Sequence, residues 1–168
     1  MLDHVTHTLE AIYNNECTML VLNAIPSPIS REKNFYYEHP RDRFWQVLSA
    51  VFDEPLPFST EDKTRLVLKH GIALWNVLES CDMNDGDENS IKKPVAHDFS
   101  VILREAPITK IFTVGDKAYK LYNLLAKKQT NIDAIKLPST SPEYMPRYPL
   151  NTLIDFFMVL RTGMVYED

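Results

Sequence analysis

The sequence predicts an α/β fold, a largely parallel sheet with helices on both sides. Two observations carry this. Four short apolar runs, TMLVLN, GIALWN, KIFTV and DAIKL, have strand length. They do not alternate polar with apolar, as expected of strands covered on both faces. Between them apolar residues recur at i, i+3, i+4 and i+7, the spacing that puts one stripe on a helix. Strands alternating with helices in this way imply a parallel sheet flanked by helical layers.

The elements follow in order. The opening segment HVTHTLEAIYNNE is either a helix or an arm packed on the surface. The first strand, TMLVLN, runs into AIPSPIS and then NFYYEHPRDRFW. A helix follows on the stripe Phe44, Val47, Leu48 and Val51. A second begins at Ser59 or Thr60, where a hydroxyl precedes Glu61 and Asp62 as cap and first-turn charges. The strand GIALWN leads into ESCDMNDGDE, an acidic run that faintly resembles a calcium loop. Its Gly86 falls one position early if Asp82 is the first ligand, so the run reads as a solvated acidic loop. Phe99, Ile102, Leu103 and Ala106 mark the next helix, before the strand KIFTV. Ala118, Leu121, Tyr122 and Leu125 mark another, before DAIKL. The last stripe is Leu150, Leu153, Ile154 and Phe157, after the loop LPSTSPEY. No internal repeat and no long linker divides the chain, so residues 1–168 are expected to form one domain.

Composition bounds the function. Hydrophobic content of 45% and charged content of 24% are those of a globular protein and argue against disorder. No apolar run approaches ~20 residues and no basic-then-apolar leader opens the chain, so neither a membrane span nor a signal peptide is expected. Two cysteines, Cys17 and Cys81, make no disulfide scaffold, and no Cys/His spacing suggests zinc. A cytoplasmic protein without metal or cofactor is expected. The net charge of −5 argues mildly against nucleic acid, although six basic residues face only Glu105 and Asp116 between Arg104 and Lys128. There is no GxGxxG, no P-loop and no GxSxG, which disfavours a dinucleotide or nucleoside triphosphate enzyme.

In an open parallel sheet, ligands bind beyond the carboxyl ends of the strands. That rule selects AIPSPIS with the stretch after it, NVLESC, VGDKAY and LPSTSPEY. Phe35, Tyr36 and Tyr37 are consecutive and cannot all point into one core. LPSTSP offers three hydroxyls between prolines, which suits phosphate oxygens as well as a plain turn.

Taken in order, IPSPISREKNFYYEHPRDRFWQVL, GIALWNVLESC, NSIKKPVAHDF and LPSTSP resemble the hypoxanthine-DNA glycosylase family of the uracil-DNA glycosylase superfamily. The similarity runs from about Leu20 to Pro142, and HP-x-x-RFW with LPSTSP at this spacing is its specific part. The resemblance implies a three-layer α/β/α sandwich with a central four-stranded parallel sheet. It also implies metal-free hydrolysis of the N-glycosidic bond of a deaminated base (hypoxanthine, with uracil or xanthine as further candidates) in DNA, by a monomer. The alternative is a nucleic-acid or nucleotide-binding module that keeps the fold without the chemistry.

A base must leave the duplex and enter a pocket before it can be cut out. By the resemblance, Tyr37 takes the place of the stacking aromatic, with Phe35 and Tyr36 lining the mouth or packing beneath. Phe44 and Trp45 read as core. Arg43 belongs to the family signature and reads equally as a structural ion pair or a DNA contact. Asn76 closes its strand where uracil glycosylases of the superfamily carry a base-reading asparagine, and a turn cap is the equal alternative. Ser139, Thr140 and Ser141, with Ser27 and Ser30 opposite, are expected to pinch a DNA phosphodiester between neutral hydroxyls. The chain departs from the pattern at Ile25 and Leu137, where better-known branches carry polar residues, and at Val114 and His97, where the family commonly has Asn. It departs again at Asp42, which stands where the hypoxanthine branch has its key Asn. A carboxylate there would stabilise positive charge on the sugar, or else repel the departing base, and Asp is also a favoured helix N-cap. Asp42 is therefore the expected catalytic residue, with capping as the competing role.

Overall fold

The four apolar runs form one parallel sheet. In the computed structural model, which describes residues 2–167, the elements in chain order are β1 (Asp3–Thr6), β2 (Met19–Asn23), α1 (Pro28–Lys33), α2 (Phe44–Val51), α3 (Thr60–Lys69), β3 (Ile72–Asn76), β4 (Leu78–Met83), β5 (Lys92–Ala96), α4 (Ser100–Glu105), β6 (Lys110–Val114), α5 (Asp116–Leu121), α6 (Lys127–Thr130), β7 (Ala134–Leu137), α7 (Leu150–Phe157) and α8 (Val159–Thr162). The central sheet has the order β3-β2-β6-β7, all neighbours parallel.

Alternation along β2 sends side chains into two separate cores. Leu20 and Leu22 pack with Phe99, Ile102, Leu121 and Tyr122 from the α4–α5 side. Val21 packs with Phe44, Leu48, Leu66, Val67, Leu153 and Phe157 from α2, α3 and α7. Helices thus cover both faces, which gives the expected three-layer α/β/α sandwich. One predicted cap holds: the Ser59 side chain accepts from the Asp62 N–H at 3.0 Å at the start of α3, whereas the N-cap position of α2 is Arg43, one residue after Asp42.

A second sheet departs from the sequence reading. The opening segment begins as β1, and β1, β4 and β5 form an antiparallel sheet in that order. The expected solvated acidic loop is corrected here: its first half is β4, with Leu78, Cys81 and Met83 buried and Glu79 outward. Only residues 84–91 turn, and Asp85 ties this turn to Arg31 of α1 by an ion pair. The short α1 was also not expected. It exists because Ser27 caps it, Pro28 opens it and Asn34 ends it in the left-handed conformation at φ 55°. Among the described residues no helix is long and apolar enough to cross a membrane.

Candidate active site

The carboxyl ends of β2 and β3 lie side by side, with Asn23 in register with Asn76. A cavity opens above them, lined by Leu9, Asn23, Pro26, Ser27, Ser30, Tyr36, Tyr37, Asp42 and Asn76. It encloses about 290 Å³, open solvent included.

The aromatic stretch builds one wall. Beyond Asn34, Phe35 is buried and stacks on Trp45 with centroids 6.1 Å apart. Tyr36 is buried too; its hydroxyl donates to the Glu10 carbonyl at 2.6 Å, and its own carbonyl accepts from the Trp45 indole at 3.1 Å. Tyr37 has a φ of 55°, uncommon for a bulky side chain. That conformation lays its ring on Phe44, with centroids 3.7 Å apart and planes within 9°. A ring so backed makes a rigid wall for the cavity.

Asp42 arrives by a tight turn. The Asp42 N–H donates to the His39 carbonyl at 2.9 Å, with Pro40 in the second position that its fixed φ suits. One carboxylate oxygen, Oδ1, accepts from the Phe44 N–H at 2.9 Å and from the Thr140 hydroxyl at 2.7 Å. The other takes no hydrogen bond among the described residues, while the side chain lines the cavity. Burial raises the carboxyl above the usual range, and the Thr140 hydroxyl and the Phe44 N–H act against that rise. The helix-start role and a free oxygen in the cavity therefore coexist in one side chain.

Asn76 is 1% exposed, and neither the nitrogen nor the oxygen of its amide has a partner among the described residues. The Tyr37 hydroxyl is also buried without one, and burial drives its proton affinity well up. Nearly all buried polar groups in folded proteins are paired, so two exceptions lining one cavity mark it as a candidate binding site, although the Trp75 indole and the Thr113 hydroxyl are unpartnered outside it.

Of its two expected places Phe35 takes the one beneath the cavity, with its ring used against Trp45. Two expectations need correction. Arg43 is neither ion-paired nor free for DNA: it is 5% exposed and donates to the carbonyls of Thr140 at 3.3 Å, Ser141 at 3.1 Å and Tyr148. Thr140 is not available to a phosphate, being 1% exposed with its proton directed to Asp42. The other hydroxyls keep their protons. Ser27 accepts from the Ser30 N–H, Ser30 from the Glu38 N–H, Ser139 from the Ser141 N–H and Ser141, at a long 3.5 Å, from the Glu143 N–H. Ser30 is buried and lines the cavity beside Ser27. Ser139 instead lines a neighbouring depression with Lys136, Tyr144 and Arg147. The structure thus brings together Asp42, Tyr37, Tyr36, Asn76, Ser27 and Ser30, and leaves Ser139 and Ser141 outside.

Sequence reasoning missed Leu9, Pro26 and Asn23. Asn23 closes β2 as Asn76 closes β3, and that parallel was its signal; its amide donates to the Ile25 carbonyl at 3.1 Å.

No family model matches the chain. It is 24% identical over 107 residues to the hypoxanthine DNA glycosylase of Methanosarcina barkeri, covering 63% of this chain and 68% of that protein. It is 25% identical over 132 residues to the hypoxanthine DNA glycosylase of Methanosarcina acetivorans, covering 78% and 83%. The solution structure of a Methanosarcina acetivorans protein, provisionally described as a uracil DNA glycosylase, superposes with a TM-score of 0.76 at 23% identity, over 96% of this chain and 99% of that one. At that identity the likeness is one of fold. The two motif segments meet in space through Asp42 and Thr140, the fold agrees with that of the solved structure, and the chain is similar at 24–25% identity to two hypoxanthine DNA glycosylases.

Proposed function

We infer that the protein is a monofunctional DNA glycosylase that hydrolyses the N-glycosidic bond of deaminated bases, hypoxanthine before uracil or xanthine. The observation that carries this is the Asn76 amide, buried with donor and acceptor both unpartnered in the cavity that Asp42 also lines. A lactam edge, one N–H beside one C=O, is the complement of that amide.

In this reading the target base leaves the stack and enters the cavity. Tyr37, held on Phe44, gives it a face to stack on, and Asn76 reads its edge. As the bond from C1′ to the base nitrogen breaks, its electron pair goes with the base and positive charge builds on the sugar. The free oxygen of Asp42 stabilises that charge and orients water. The water oxygen bonds to C1′, and its proton passes through Asp42 to the departed base. Ser27 keeps a hydroxyl proton to donate to the DNA strand at the rim, and Ser139 and Ser141 keep theirs on the next loop. The reading further takes the protein as a cytoplasmic monomer that needs no cofactor, and the free, buried Cys17 and Cys81 suit a reducing compartment.

The test is incubation with duplexes carrying one inosine, uracil or xanthine, followed by alkali. Strand breaks at inosine first are expected. Tight binding with no break on any of the three would contradict the enzymatic reading.

A further inference from the structure

We propose that Thr140 is a positioning residue of the glycosylase reaction, holding the Asp42 carboxylate in the one orientation that presents an unbonded oxygen to the base. The proposal rests on the reading of Asp42 as the catalytic residue. An unconstrained carboxylate can turn about its last bond and tilt its oxygens away from the cavity. Here the Phe44 N–H and the Thr140 hydroxyl reach the same atom, Oδ1, at 2.9 and 2.7 Å. Those two donors fill its lone pairs, so Oδ2 is the oxygen left for the cavity.

Thr140 is itself held. It is 1% exposed, and its carbonyl accepts from the Arg43 N–H at 3.2 Å and from the Arg43 side chain at 3.3 Å. Arg43 also grips Ser141 and Tyr148, so the start of α2 and the loop after β7 form one rigid piece around Asp42. A hydroxyl needed only for its own burial could have bonded to a nearby carbonyl. This one donates to a carboxylate across 98 positions of sequence, and it also opposes the effect of burial on that carboxylate's charge.

The experiment compares single-turnover cleavage of an inosine duplex by the parent, Thr140→Val, Thr140→Ser and Asp42→Ala across pH, alongside affinity for a duplex with a stable abasic analogue. Thr140→Val should slow cleavage roughly 10- to 100-fold at neutral pH, the scale of one lost hydrogen bond to a charged group. The acid limb of its pH profile should move upward, because Asp42 loses a donor that favours the ionised form. Thr140→Ser should cleave nearly as the parent, and abasic affinity should hold in both. Thr140→Ala, also without a hydroxyl and smaller, replaces Thr140→Val should the latter fail to fold. The proposal is overturned if Thr140→Val keeps the parent's rate and acid limb, or if Thr140→Ser is as slow as Thr140→Val. Should Asp42→Ala itself cleave like the parent, the catalytic assignment fails and the proposal goes with it. Loss in Asp42→Ala without loss in Thr140→Val rejects the proposal alone.

Discussion

Thr140 and Asn76 are both polar, both 1% exposed and both bear on one cavity, yet their hydrogen bonds differ completely. Thr140 donates to Asp42 and accepts from Arg43. Asn76 has a free donor and a free acceptor among the described residues. An unpaired buried polar group costs about 1–3 kcal/mol, so one persists only where something else selects for it. On the proposed function, the contrast separates the machinery into groups that hold the site and groups that wait for a ligand. Thr140 and Arg43 are of the first kind, Asn76 and the Tyr37 hydroxyl of the second, and Asp42 has one oxygen in each.

The largest effect should come from Asp42. Asp42→Ala should lower single-turnover cleavage of inosine by roughly 100-fold or more, the scale of a lost catalytic acid–base group, while affinity for an abasic duplex stays. Asp42→Asn keeps an acceptor for Phe44 and Thr140 and restores the family's residue, so its cleavage of inosine should persist or rise. Next comes the contrast itself. Asn76→Leu should lower kcat/KM for inosine roughly 10- to 100-fold, yet raise stability to denaturant by about 1–3 kcal/mol, because the unpaired amide is gone. Thr140→Val should move stability the other way. A smaller effect concerns the outer loop. With Thr140 occupied by Asp42, Ser139 shares its depression with Lys136 and Arg147, so Arg147→Gln should flatten the dependence of DNA affinity on salt by roughly one phosphate's worth, a slope change near 0.9.

The smallest effects are on stability against pH. His97 lies 3.0 Å from His7, stacks on Trp75 at 4.1 Å, and is pulled by burial to about 4. Its unfolded value is 6.5, so the unfolded chain binds the proton more readily in between. The stability it contributes is full above 6.5 and is lost as pH falls toward 4. Glu88 runs opposite. Burial and the nearby Glu143 charge raise it to about 7 from 4.5, so its contribution is full below 4.5 and lost as pH rises through 7. Melting temperature against pH should accordingly fall less toward acid in His97→Asn, and less toward pH 8 in Glu88→Gln.

Strands covered on both faces announce themselves as continuous apolar runs, and all four central strands were legible for that reason. β4 and β5 were not. β4 buries alternate residues and turns Glu79 outward, so its acids read as a loop, and β5 carries Pro94 and two lysines, as an edge strand does. Within the site, Asp42 was legible because the His39-Pro40 turn and the helix start are local in sequence. Thr140 was misread because what decides its role is a partner 98 residues away. Phe35 stayed open between the mouth and the layer beneath because three consecutive aromatics showed that not all could be core, without showing which one faced the cavity. Leu9 carried no local signal at all, since the segment that brings it over the cavity is held by contacts with Tyr36 and β4.

The most direct measurement follows the Asn76 side-chain amide itself. In 15N-labelled protein its two amide hydrogens can be observed as a duplex carrying 2′-fluoro-deoxyinosine, which resists glycosidic cleavage, is added. With the base in the cavity, both signals should shift and exchange more slowly with water, while a duplex with an abasic analogue leaves them near their free positions. If the inosine duplex binds and shifts the loops around Ser27 and Ser139 while the Asn76 amide stays as in the free protein, the amide does not read the base and the account is wrong.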